Sequence, residues 1–81
     1  MHDKSIIPTR PSNIAPSGSL VIGRWPNERE APTLVVDCMP FWGNPNDDNT
    51  ADHWYWKYLL INDHGELVWN HARYWQQFFA E

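Results

Sequence analysis

Two apolar runs, Trp54 to Ile61 and Leu67 to Trp69, flank the tetrapeptide Asn62-Asp63-His64-Gly65. Asn, Asp and Gly accept the positive φ angles that tight turns need, and the flanking residues are aromatic, β-branched or large aliphatic. The stretch from His53 to His71 therefore predicts a β-hairpin, one that holds three of the six tryptophans. A two- or four-residue loop pairs even positions of the first run with odd positions of the second. Trp54, Trp56, Tyr58 and Leu60 then share a face with Leu67, Trp69 and His71. A three-residue loop reverses this assignment, because a one-residue slip turns every side chain to the other face. In either register both faces of the first run are largely apolar. A strand with one wet face should alternate, so each side needs a cover. A helix over 54–61 would be apolar all round, and 81 residues provide no interior large enough to hide it.

The remaining chain reads in order as follows. Residues 1–19 hold Pro8, Pro11 and Pro16 with several serines and a glycine, which excludes a continuous helix or central strand and predicts an extended arm. A tail free in solution, an arm tied to its own domain and an arm held by a partner all fit that composition. Leu20 to Trp25 predicts a strand closed by Pro26, and Pro26 to Pro32 a polar connection. Thr33 to Met39 predicts a second, β-branched strand bounded by Pro40. Phe41 and Trp42 belong either to a strand end or to an exposed tip, ahead of an Asn- and Asp-rich loop over 44–52. After the hairpin, Asn70 fits a helix N-cap. At 100° per residue, Ala72, Tyr74, Trp75, Phe78 and Phe79 fall on one arc of about 160°, which predicts an amphipathic helix over 71–81. The expected fold is a small α+β domain over residues 20–81. It has an antiparallel sheet of about four strands (20–25, 33–39, 54–61, 66–70), one C-terminal helix and a Pro-rich N-terminal arm.

Composition narrows the function. Aromatic residues make up 15% of the chain, which offsets a size at which a single core is only marginally sufficient. The single cysteine, Cys38, excludes an internal disulfide framework and suits a reducing compartment. The sequence shows neither a basic-then-apolar leader nor a run of membrane-spanning length, so a cytoplasmic protein is expected. A net charge of −4 disfavours non-specific binding to nucleic acid or anionic membranes, yet it is too mild for a mimic of DNA.

Chemical motifs are weak. In the 44–52 loop Asn46, Asp48 and Thr50 alternate as calcium ligands would, but the closing Glu and mid-loop Gly are missing. His53 and His71 meet at the open end of the hairpin, without a third His or a Cys to make a zinc site. Cys38 lies in an apolar strand, where a thiol is ordinarily inert packing, and no phosphate-cradling glycine loop is present. No cofactor, metal or catalytic set is expected. The aromatic residues carry the functional expectation, because Trp and Tyr dominate interface hot spots. Phe41, Trp42, Trp54, Trp56, Tyr58 and Trp69 are the candidate partner-binding residues. The expected function is a non-enzymatic protein-binding module, an accessory subunit or inhibitor of a larger assembly, with homo-oligomers admitted; small standalone chains of this kind are common in phages. The alternative is an aromatic stacking binder of single-stranded nucleic acid or carbohydrate.

Overall fold

The computed structural model describes residues 6–24, 31–46, 49 and 51–79. Trp25, most of the 26–32 connection, and Asp48 and Thr50 of the calcium-like loop lie outside them. Five strands are formed: β1 (Leu20–Gly23), β2 (Thr33–Gly43), β3 (His53–Ile61), β4 (Leu67–His71) and β5 (Trp75–Phe78). A 3-10 turn, Ala72–Tyr74, joins the last two. All pairings are antiparallel, in the order β4-β3-β2-β1-β5.

The two edge strands, β4 and β5, are consecutive in sequence. In a flat sheet they would lie four strand spacings apart, about 19 Å at ~4.8 Å each. The link from His71 to Trp75 reaches at most about 14 Å even if fully extended, so the sheet must roll. The bend is visible in β2. Val35 pairs with Leu60 and Asp37 with Leu59, which leaves Val36 as an extra residue. Such a bulge bends a strand and shifts its side-chain parity. Before it, Thr33 and Val35 are buried; beyond it, Cys38 pairs with buried Tyr58 and packs on the core. One eleven-residue strand thereby serves two halves of the sheet, β1 on one side and β3 on the other. Pro40 does not end β2, which continues to Gly43. At Pro40 the strand pairs with β3 alone, and a strand with one free side is where proline is tolerated.

The core gathers Val21, Val35, Tyr58, Leu60, Ala72 and Trp75 with Ile14 and Ala15 of the arm. The arm is stitched in by its backbone. The Gly18 N–H donates to the Val35 carbonyl (2.8 Å), and the Val35 N–H to that of Ser19 (2.9 Å). The Ala15 N–H donates to the Tyr58 hydroxyl oxygen, 43 residues away in sequence, at 2.9 Å. The Arg10 guanidinium donates to the Ile14 carbonyl. Residues 14–19 are thus held by their own domain, while Ile6 and Ile7 stand exposed.

The expected α+β class is corrected: the described chain is nearly all sheet, and no C-terminal helix forms. Asn70 does not cap a helix; it remains in β4. The 3-10 turn is capped instead by His71, whose Nδ1 accepts from the Arg73 N–H. Trp75–Phe78 then pairs along β1 from Gly23 to Leu20. The helix lost because β1 presents an open edge of backbone donors and acceptors. A short isolated helix rich in Trp and Phe is marginal, whereas those residues favour strands. As a strand the segment still buries Trp75, and its ladder satisfies β1.

Candidate functional site

The site begins at the hairpin turn. Asn62 and Glu66 are joined by a backbone hydrogen bond (2.9 Å), and the Gly65 N–H donates to the Asn62 carbonyl (3.0 Å). The Asn62 side-chain oxygen accepts from the N–H groups of His64 and Glu66, both at 2.9 Å. Gly65 takes φ +78°, the left-handed conformation of the last residue in a three-residue loop. The loop is therefore Asp63-His64-Gly65, and the register is the reversed one: Leu60 faces Val68 and Leu59 faces Trp69. Trp69 parts from Trp54, Trp56 and Tyr58 and joins the odd residues of β3.

Directly opposed residues share a face of the sheet. With Tyr58 and Leu60 buried, the even positions of β3 point inward. The outward face of β2, β3 and β4 then carries Met39 and Phe41; Tyr55, Lys57, Leu59 and Ile61; and Leu67, Trp69 and His71. Its polar groups are Lys57, His71 and, at its ends, His53 and Asp37. The rings interlock. Phe41 meets Trp69 edge-on (centroids 5.4 Å) and lies along Tyr55 (6.1 Å), and Tyr55 stacks on His71 (5.2 Å). The Lys57 ammonium sits 4.9 Å from the Phe41 ring centre, folded down over the aromatic surface. Much of this face meets solvent: Met39 is 45% exposed, Leu67 58% and Trp69 39%.

The six candidate residues divide three ways. Phe41 and Trp69 belong to the outward face. Tyr58, 1% exposed, is core, and Trp56 packs against that core. Trp42 and Trp54 are cross-strand partners on the inward side near the open end of the hairpin, edge to face at 5.3 Å. The Trp54 indole N–H is buried there without an acceptor. Met39, Tyr55, Lys57, Ile61, Leu67 and His71 share that surface, although none is among the six candidates read from the sequence. The three-residue loop selects this register, and the turn composition leaves its length open. A second outward apolar row, Leu20, Leu34 and Phe78, crosses β1, β2 and β5.

The titratable groups are tuned by burial. Burial pushes the Cys38 thiol up, away from thiolate character, and the charges acting on it are those of Arg10 and Asp37. Burial also holds the His71 imidazole below its ordinary range, helped by the positive charges of Arg73, Lys57 and His53. Tyr55 packs against both His53 and His71. Among the described residues, no three His, Cys, Asp or Glu side chains gather as metal ligands, and no helix is long and apolar enough to cross a membrane. Compared with protein-family models, curated proteins and solved structures, the chain matches none.

Proposed function

We propose that the chain is a protein-binding module that docks through the outward face of β2, β3 and β4. One observation carries the reading. Three adjacent strands present apolar side chains outward at position after position, where a solvated antiparallel face would be polar. Phe41 and Trp69 at its centre are the aromatic anchors, with Met39, Ile61 and Leu67 around them as the water-excluding surround. Lys57, already stripped of part of its water over Phe41, supplies a charge that a partner can pair.

A stacking role for single-stranded nucleic acid gains one point, since Lys57 shares the face with Phe41, Tyr55 and Trp69. The aliphatic residues weigh against it. Met39, Ile61 and Leu67 offer a base or phosphate nothing, but a protein surface buries them with profit at roughly 25 cal/mol per Å2.

The test is paired affinity capture from a native lysate, using the wild-type chain and a Phe41→Ala/Trp69→Ala variant that keeps a folded spectrum. The reading expects a protein held by the wild type and lost by the variant. Equal capture by both chains, or retention of single-stranded oligonucleotide in place of protein, would count against it.

A further inference from the structure

Where the arm, the end of β1 and the 3-10 turn meet, a cleft of about 210 Å3 opens beside the aromatic face. Among the described residues its lining includes Asn13, Arg24, Tyr55, Trp56, His71 and Arg73, and no acidic residue. Two arginines thus line one cleft in a chain of net charge −4. Arg73 is held in place: it donates through Nη1 to the Asn46 side-chain oxygen (2.6 Å) and through Nη2 to the Tyr74 hydroxyl (2.9 Å), and it stacks over the Tyr74 ring. Among the described residues these bonds use two of the five N–H donors of the guanidinium. The backbone N–H of Arg24 donates to the Tyr74 carbonyl (2.8 Å), which holds the backbone of the second arginine beside the same turn. The His71 imidazole also lines the cleft, its pKa lowered first by burial and then by the charges of Arg73 and Lys57. Arg24 and Arg73 bring positive charge to the cleft, and Tyr55 and Trp56 give it aromatic walls beside Ile14 and Ala72.

Size limits the occupant. Sites that enclose a drug-sized ligand span roughly 300–1,000 Å3, so this cleft admits a group no larger than a side chain or a chain terminus. Tyr55 and His71 belong both to the cleft and to the outward face, so a protein lying on that face reaches the cleft directly.

We propose that the cleft is a carboxylate site. It takes an acidic side chain or a C-terminal carboxylate carried next to an apolar or aromatic group, with Arg24 and Arg73 pairing the charge and Trp56 and Tyr55 packing the body. In naming a protein as the source of that carboxylate, the proposal rests on the docking function above.

The experiment is an NMR titration of the full chain, following the Trp56 indole and His71 ring signals. Three probes are used: N-acetylphenylalanine, the α-amide of N-acetylglutamate, and the uncharged N-acetylphenylalaninamide, with inorganic phosphate as a fourth. The carboxylates are expected to shift both signals and to raise the His71 pKa, because an anion beside an imidazole favours its charged form. Arg24→Gln and Arg73→Gln, each still folded by its spectrum, should weaken binding by about tenfold or more and abolish the pKa rise. The tighter of the two carboxylates tells a chain terminus from an acidic side chain. An equal response to the amide, tighter binding of phosphate, a silent His71, or arginine variants that bind like wild type would each overturn the assignment. Phe41 and Trp69 do not line the cleft. The capture experiment can therefore succeed while these titrations fail, so the two readings fall separately.

Discussion

At the scale of single residues, Tyr58 and His71 carry the sharpest consequences. The Tyr58 hydroxyl is the buried acceptor for the Ala15 N–H and thereby ties the arm to the sheet. Tyr58→Phe leaves that N–H unpaired, and stability should fall by about 1–3 kcal/mol. Urea unfolding measures the loss, and faster amide exchange at Ala15 would locate it. His71 sets a pH dependence. Its folded pKa lies below the ordinary value of 6.5, first through burial and then through Arg73, Lys57 and His53. As pH falls below about 6.5 the unfolded chain takes up a proton that the folded chain refuses, so stability present above that pH declines as pH drops toward the folded value. Protonation at Nδ1 would also break the bond from the Arg73 N–H. Unfolding midpoints across this range should show the decline, and His71→Gln should flatten it; a slope that survives the substitution would assign the effect elsewhere.

At the scale of elements, the hairpin was legible in the sequence and the C-terminal segment was not. Asn62 and Gly65 announced a turn, but loop length was not readable from them. The second bond to the Asn62 side chain, from Glu66, makes the loop three residues long, and with it the face that Trp69 occupies. Because Gly65 adopts φ +78° with open space around it, Gly65→Ala should cost about 1–2 kcal/mol through backbone strain alone. Gly65→Asn should cost less, since Asn tolerates that conformation; unfolding curves of the two variants decide this. The C-terminal segment misled for a different reason. Tyr74, Trp75, Phe78 and Phe79 fit a helical arc, and a four-residue strand leaves too short an alternation to compete with it. What decided the outcome, the open edge of β1 more than fifty residues earlier, has no local signature. Likewise Pro40 looked like a terminator because the pattern of hydrophobicity does not reveal that β2 there pairs with one neighbour only. Amide exchange can test the revised assignment. Over Trp75–Phe78 a strand with β1 on one side should protect alternate amides, while a helix would protect consecutive ones.

At the scale of the whole molecule, the rolled sheet hides a small core inside and leaves an aromatic surface outside. Six tryptophans in so short a chain suggested more apolar surface than one core can bury, and this much was legible. Which residues form the surplus was not, because the register and the Val36 bulge decide the parity of β2 and β4. Of the candidates read from sequence, Phe41 and Trp69 remain on the proposed surface, while Tyr58 serves the core. Phe41→Ala/Trp69→Ala should consequently weaken partner binding far more than it lowers the unfolding midpoint. The two apolar surfaces, one over β2, β3 and β4 and the other over β1, β2 and β5, give the most direct test of the account. Carbene footprinting should be run on the free chain and on the chain bound to its captured partner. Docking through the first surface predicts protection of Met39, Phe41, Leu67 and Trp69 on binding, with labelling of Leu20, Leu34 and Phe78 unchanged. Protection of the second set with the first still labelled would contradict it.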